Sequence, residues 1–235
     1  MKSLKAAVIL SLLFTLNIAT LHSQYVLGVT DTFMDKLRLN KGIKGIETVM
    51  YSDISGTPFI FKDFKSGVLI LDSGEEYEAY VRYDIFADEI HLKDKNQIFA
   101  IIQPERVKMI TTDSIKFIYS EYVRSPGKKD PDDTSYFIVR KDGKCMLLIR
   151  KNIRIQDPEP AKILQEPKPA LFVHKKDTYY LRTKDNHAVQ IRSKKDLLSV
   201  LDDRNDEVNR FIKSIGGNVK KIEDLEAIID YYNNL

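Results

Sequence analysis

The sequence predicts an α+β fold that is mainly β. The expectation is an antiparallel meander sheet or a partly closed barrel or sandwich, followed by a small C-terminal three-helix module. Three observations predict it. From Gly67 onward, short runs rich in β-branched and aromatic residues alternate with turns containing Gly, Pro or Asp. Four of the eight prolines fall between Gln156 and Pro169, where a missing N–H disfavours both helix interior and central strand. Past Ser193 the apolar spacing changes from two residues to the i, i+3, i+4, i+7 pattern of a helix.

The clearest strand pair is Val81–Leu92. Val81, Tyr83 and Ile85 alternate with Arg82 and Asp84, and Ile90 and Leu92 alternate with Glu89 and His91. A turn centred on Ala87-Asp88 would place Ile85 opposite Ile90, Tyr83 opposite Leu92 and Asp84 opposite His91. One face is then apolar and the other polar, which fixes register, because a one-residue slip would invert every side chain.

In chain order, residues 1–23 read as a signal peptide. Lys2 and Lys5 form a positive start, Ala6–Leu21 is apolar apart from four small or polar residues, and Ser23 precedes a cut at Gln24. The apolar run is about 16 residues, against the roughly 20 that span a bilayer. No Cys stands at the cut, so a bacterial lipid anchor is excluded there. No other stretch is long and apolar enough for a transmembrane helix.

Residues 24–155 are expected to form the antiparallel β domain. It opens with a short helix over Thr32–Leu39, a strand at Ile46–Tyr51 and a turn at Ser55-Gly56-Thr57-Pro58. Strands follow at Val68–Leu71, Tyr77–Phe86, Gln97–Ile102, Val107–Ile110, Ile115–Tyr122, Tyr136–Arg140 and Cys145–Ile155. Asp142-Gly143 is expected to be a type I′ hairpin turn. Residues 156–169 are the proline-rich linker, and 170–235 hold a small β element plus the helices. The first helix starts with Ser193 as N-cap and Asp196 three residues on; the second ends at Gly216-Gly217; the third carries Ile222, Leu225, Ile228, Ile229 and Tyr232 on one face.

The net charge is +3, and loss of Lys2 and Lys5 with the leader leaves +1. That balance gives no electrostatic case for nucleic acid or an anionic membrane surface. Cys145 is the only cysteine, so no intramolecular disulfide forms.

The candidate chemistry is sparse. Arg82, Asp84, Glu89 and His91 make the best polar cluster, in which one imidazole and two carboxylates share a strand face. A solvated face with cross-strand pairs is the simpler reading. His174 and His187 lie near strand ends in a Lys-rich region, where rim positions account for them. Cys145 follows Lys144, whose charge favours a thiolate, but it also begins the apolar run Met146–Ile149 and fits a small core residue. There is no GxSxG elbow, HExxH helix, phosphate-binding Gly loop, CxxC pair or EF-hand loop. No catalytic, cofactor-binding or metal-binding residue is assigned, and enzyme activity is left open with the balance against it.

The chain also resembles uncharacterised exported β-rich envelope proteins of Bacteroidota. The residues that carry this are the Gly56-Thr57-Pro58-Phe59 turn, Gly67-Val68, Arg82-Tyr83-Asp84 with Asp88-Glu89, and Gly143-Lys144-Cys145. Asp177-Thr178-Tyr179-Tyr180, Lys194–Leu198 and Tyr231-Tyr232-Asn233 complete it. The resemblance implies an envelope location and no catalytic residues.

The expected function is that of an exported, non-catalytic structural or partner-binding component, periplasmic or peripheral on the outer membrane of a Gram-negative bacterium. The expected partner is an envelope protein. The alternatives are a carrier or sensor of an apolar ligand or lipid in a β cavity, an envelope hydrolase with an unrecognised site, and an outer-membrane barrel, for which several strands are short.

Overall fold

The computed structural model describes residues 40–41, 51, 54–95, 97–161, 166–183 and 186–235. The leader expected at residues 1–23, the helix expected over Thr32–Leu39 and, apart from Tyr51, the strand expected over Ile46–Tyr51 lie outside the described residues. Among the described residues strand accounts for 45% and helix for 21%, so the fold is mainly β.

Eleven strands form one sheet that curls into a ring at one end. They are β1 (Asn40–Lys41), β3 (Lys65–Leu71), β4 (Glu76–Asp84), β5 (Glu89–Asp94), β6 (Gln97–Ala100), β7 (Val107–Thr112), β8 (Lys116–Val123), β9 (Asp133–Lys141), β10 (Cys145–Arg150), β13 (Thr178–Thr183) and β14 (Ala188–Ile191). The order is β1-β6-β5-β4-β3-β7-β8-β14-β13-β10-β9, and β8 also pairs with β9. The stretch from β6 to β7 is an open antiparallel front sheet. The stretch from β8 to β9 closes into a five-stranded barrel. Around a ring of five strands direction cannot alternate throughout, and the parallel β8–β14 pair is where alternation breaks. Three further strands, β2 (Ile54–Ser55), β11 (Ile153–Gln156) and β12 (Ala170–His174), make a separate small sheet.

Period-two alternation gives each barrel strand two faces. Ile118, Tyr122, Phe137, Leu148, Tyr180 and Ala188 form one buried cluster. Tyr122 and Tyr180 sit on strands that are not neighbours, yet their rings are 5.5 Å apart, so this set meets inside the ring and fills it. The opposite set faces outward in two directions. Phe117, Tyr136, Ile138 and Ile149 join Leu69, Val81, Tyr83, Ile90 and Leu92 of the front sheet in the largest core. Cys145, Leu147, Leu181 and Ile191 instead meet the helices. Gly67 on β3 is required by close packing, since a Cβ there would stand 2.6 Å from the Thr111 carbonyl oxygen.

The C-terminal helices are α1 (Lys194–Val200), α2 (Asn205–Ile215) and α3 (Ile222–Asn233). Ser193 and Asp196 form the complete capping box, and Gly216 ends α2 at φ 61°. Leu197, Val208, Ile212, Leu225 and Ile228 bury their apolar faces against the ring wall. Ion pairs Arg140–Glu226, Lys141–Asp230 and Lys144–Asp203 fringe that contact. As exposed pairs they add little beside the apolar burial. The ring draws strands from both sides of residues 156–169, so the proline-rich stretch links parts of one sheet.

Three local expectations change. The β4–β5 register is displaced by two residues, pairing Tyr83 with Ile90, Arg82 with His91 and Asp84 with Glu89. The turn takes four residues, Ile85–Asp88, because Asp84 bonds the Phe86 and Ala87 N–H groups and Asp88 adopts φ 56°. The β9–β10 connection is not a type I′ turn. It is a three-residue loop with Gly143 at φ 145° and a bulge at Leu147/Leu148. The long strand expected over Cys145–Ile155 splits at Lys151-Asn152, and its second part, β11, leaves for the small sheet.

Candidate functional site

The outer face of the front sheet carries the polar cluster. Tyr80, Arg82 and Asp84 point to one side of β4, with Lys93, His91 and Glu89 directly opposite on β5. A two-residue shift preserves the face, so the four expected residues do gather. They are not a solvated face. Arg82, Asp84 and His91 are 8%, 1% and 2% exposed, and only Glu89 reaches solvent substantially.

Chain-distant aromatic residues close this end. Ile60 N–H donates to the Tyr83 carbonyl and Ile85 N–H to the Pro58 carbonyl, seating Phe59 beside Asp84. The Arg82 guanidinium carbon lies 3.6 Å from the Phe59 ring centroid and 4.3 Å from that of Phe64. Such stacking fixes the guanidinium plane. Tyr51 packs edge-on against Phe59, Phe86 and the Phe172 ring of β12. Its hydroxyl donates to Asp84 Oδ2 at 3.0 Å.

Asp84 is held by hydrogen bonds and Arg82 by ring stacking, whereas among the described residues neither ring nitrogen of His91 has a hydrogen-bond partner. Burial pushes the Asp84 carboxyl above its usual range, opposed by the Ala87 N–H, the Tyr51 hydroxyl and the neighbouring His91. His91 stands edge-on to Phe59, with Glu89 Oε2 3.5 Å from Nε2. Among the described residues no three His, Cys, Asp or Glu side chains are placed to hold a metal ion.

A second polar centre escapes sequence reading. Asp88 reaches across from the β4–β5 turn to β9, accepting from Tyr83 Oη at 2.7 Å, Ser135 Oγ at 2.6 Å and the Tyr136 N–H at 3.2 Å. Arg150 Nε donates to the same Ser135 hydroxyl at 2.8 Å. Burial and the Asp88 charge hold the Tyr83 and Tyr136 phenols well above their ordinary range. Nothing local in Ala87-Asp88-Glu89 announces a partner 47 residues away.

The other candidates separate. His174 belongs to the small sheet, while His187 sits beside β8, with Nδ1 2.9 Å from Glu121 Oε2 and Nε2 3.2 Å from the Lys129 carbonyl. Cys145 is fully buried against the helices, and burial pushes its thiol up to about 12. Lys144 does not reverse this, because its ammonium bonds Asp203 at 3.0 Å. Cys145 and the Asp84–His91 pair lie on opposite sides of the main core and form no common centre.

The other end of the outer face is open. Lys62, Asp63, Phe64, Tyr80, Arg82, Lys93 and Lys95 line a cleft of about 500 Å³. Tyr80 is 48% exposed, and Lys93 Nζ lies 5.8 Å from the Phe64 centroid. The only sequence signal was the cross-strand alternation, which puts Tyr80 and Lys93 on the polar face.

Compared with protein-family models, curated proteins and solved structures, the chain matches none.

Proposed function

We propose that this chain is an exported, non-catalytic binding component of a Gram-negative cell envelope, periplasmic or peripheral on the outer membrane. It acts by holding a partner against the outer face of the front sheet. The observation that carries this reading is the open cleft beside Tyr80, where a large aromatic side chain stands exposed on a strand braced by the main core. Exposed aromatic residues next to cationic groups are the composition of binding surfaces. The leader read at residues 1–23 supports export. No described helix is long and apolar enough to cross a membrane.

The apolar-carrier alternative has no seat inside the ring, which Tyr122, Phe137, Leu148 and Tyr180 fill. For the hydrolase alternative, Asp84 and His91 are neighbours under cover and Cys145 is buried in a different cluster, so these three side chains form no common exposed site.

A photo-crosslinking side chain at position 80 tests the reading in intact cells. One discrete heavier species from position 80, and none from a control at exposed Lys195 on α1, is the expected result. Equal yields from both positions, or monomer alone, would remove the proposal. Carbonate washing and fractionation of the same cells locate the protein.

A further inference from the structure

We infer that the open cleft at the Tyr80 end of the front sheet is a binding site for a phosphate-bearing ligand. This rests on the binding reading above and adds the ligand class.

The cleft gathers four cationic side chains, Lys62, Arg82, Lys93 and Lys95, around a single carboxylate, Asp63. This local excess stands out in a chain whose basic and acidic residues nearly balance. Elsewhere, some lysines meet a carboxylate: Lys128 meets Asp132, Lys141 Asp230, Lys144 Asp203, Lys151 Asp177 and Lys168 Glu159. Among the described residues, Lys62, Lys93 and Lys95 have no carboxylate within 4.0 Å. Other lysines also face solvent alone, but these three converge on one concavity with an arginine.

The cations are also held in place. Arg82 is more than nine-tenths buried, and its guanidinium plane is set by Phe59 and Phe64. Lys93 is anchored by its strand pairing with Tyr80 and lies over Phe64. Lys95 is presented by the β5–β6 turn at φ 51°. Gathering like charges raises their mutual repulsion, and a multiply charged anion relieves it more than a monoanion does. Converging ammonium groups act as point charges toward phosphate oxygens, with the buried Arg82 guanidinium adding positive field behind them. Phe64 and Tyr80 add an apolar wall for the body that carries the phosphate. The volume of about 500 Å³ lies within the roughly 300–1,000 Å³ of small-ligand sites.

The probes are inorganic pyrophosphate, and vesicles of phosphatidylcholine with and without 30% phosphatidylglycerol. Each is applied to the purified chain and to the double variant Lys93→Glu, Lys95→Glu. Saturable pyrophosphate binding that weakens at least tenfold in the variant and falls with added salt supports the inference and indicates a soluble phosphate compound. Sedimentation with the phosphatidylglycerol vesicles alone, abolished in the variant, also supports it and indicates a lipid headgroup. No saturable binding of either probe, or binding that the double variant retains, overturns it. Both lysines are exposed, so an unchanged melting temperature shows that the variant is folded. If the phosphate probes fail while position 80 still crosslinks a partner, the ligand class is wrong and the binding reading stands.

Discussion

At the turn end of the β4–β5 hairpin, Asp84 and His91 are 1% and 2% exposed; four residues earlier on the same face, Tyr80 is 48% exposed opposite Lys93. Both ends belong to one alternating strip, and both carry polar groups. What differs is the cover. Pro58–Ile60 pairs with the turn end, and Phe172 and Tyr51 close over it, whereas at the Tyr80 end Lys62, Asp63 and Phe64 line an open cleft. The polar groups under cover are fixed by hydrogen bonds and ring stacking, and so stabilise the fold. Those outside it retain solvent-facing charge, and so are available to a ligand. In this molecule the distribution of cover, rather than residue type, separates structure from function.

The hardest way to break this contrast is at Asp88. Asp88→Ala leaves the buried Ser135 hydroxyl, the Tyr83 hydroxyl and the Tyr136 N–H without their acceptor. The expected loss is about 3–5 kcal/mol of unfolding free energy, read by urea denaturation. Asp88→Asn, which tolerates the positive φ, should lose less. A cost below about 1 kcal/mol for the alanine variant would remove Asp88 as the link between hairpin and barrel.

The β9–β10 hairpin offers a second closed turn for comparison. Asn233 at the end of α3 accepts from the Cys145 N–H at 2.8 Å and donates to the Cys145 carbonyl at 3.0 Å. A Cβ on Gly143 would stand 2.7 Å from the Asn233 amide nitrogen, at φ 145°. Gly143→Ala should therefore cost about 2–3 kcal/mol, combining backbone strain with displacement of that amide. In an Asn233→Ala background the steric part disappears, so the two costs should be less than additive. Full additivity in denaturation measurements would show that Asn233 does not clamp the turn.

Asp84 sharpens the contrast through pH. Its folded-state pKa is raised by burial, so the folded chain holds this proton more tightly than the unfolded chain. Stability from this group is fully present below the ordinary carboxyl value and is lost as pH rises through the raised value. Relative to the parent chain, Asp84→Asn should therefore gain stability as pH rises through that window, with a change of only about 1 kcal/mol or less at neutral pH. A relative stability that falls with pH there would contradict the assigned sign. The smallest stability effect belongs to the open end. Lys93→Glu should move the unfolding free energy by no more than about 0.5 kcal/mol.

How legible these features were follows from the range of the interactions that make them. The helices were legible because their signals are local: the Ser193–Asp196 capping box, the Gly216 cap and the i, i+3, i+4 apolar faces hold, although Ile215 at the end of α2 is exposed. Strand positions were legible from alternation. Register was not, because a two-residue shift leaves the face unchanged and the four-residue turn depends on Asp84 bonding two N–H groups. Barrel closure was left open because it rests on the parallel pairing of Ala188 with Tyr122, more than sixty residues apart. The polar cluster was found and its burial missed for the same reason: Phe172, which helps to cover Asp84, lies 88 residues further along the chain. The lysine cleft was invisible as a site, since Lys62 and Lys95 come together only through the fold.

The most direct test of the division between a closed structural end and an open binding end is residue-resolved. Amide chemical shifts should be followed by ¹H–¹⁵N NMR while pyrophosphate is added to the purified chain. Saturating shifts concentrated at Phe64, Tyr80, Lys93 and Lys95, with Phe86, Ala87 and Asp88 unmoved, are the predicted result. Shifts centred on the turn, or scattered over the lysines of the whole surface, would contradict it.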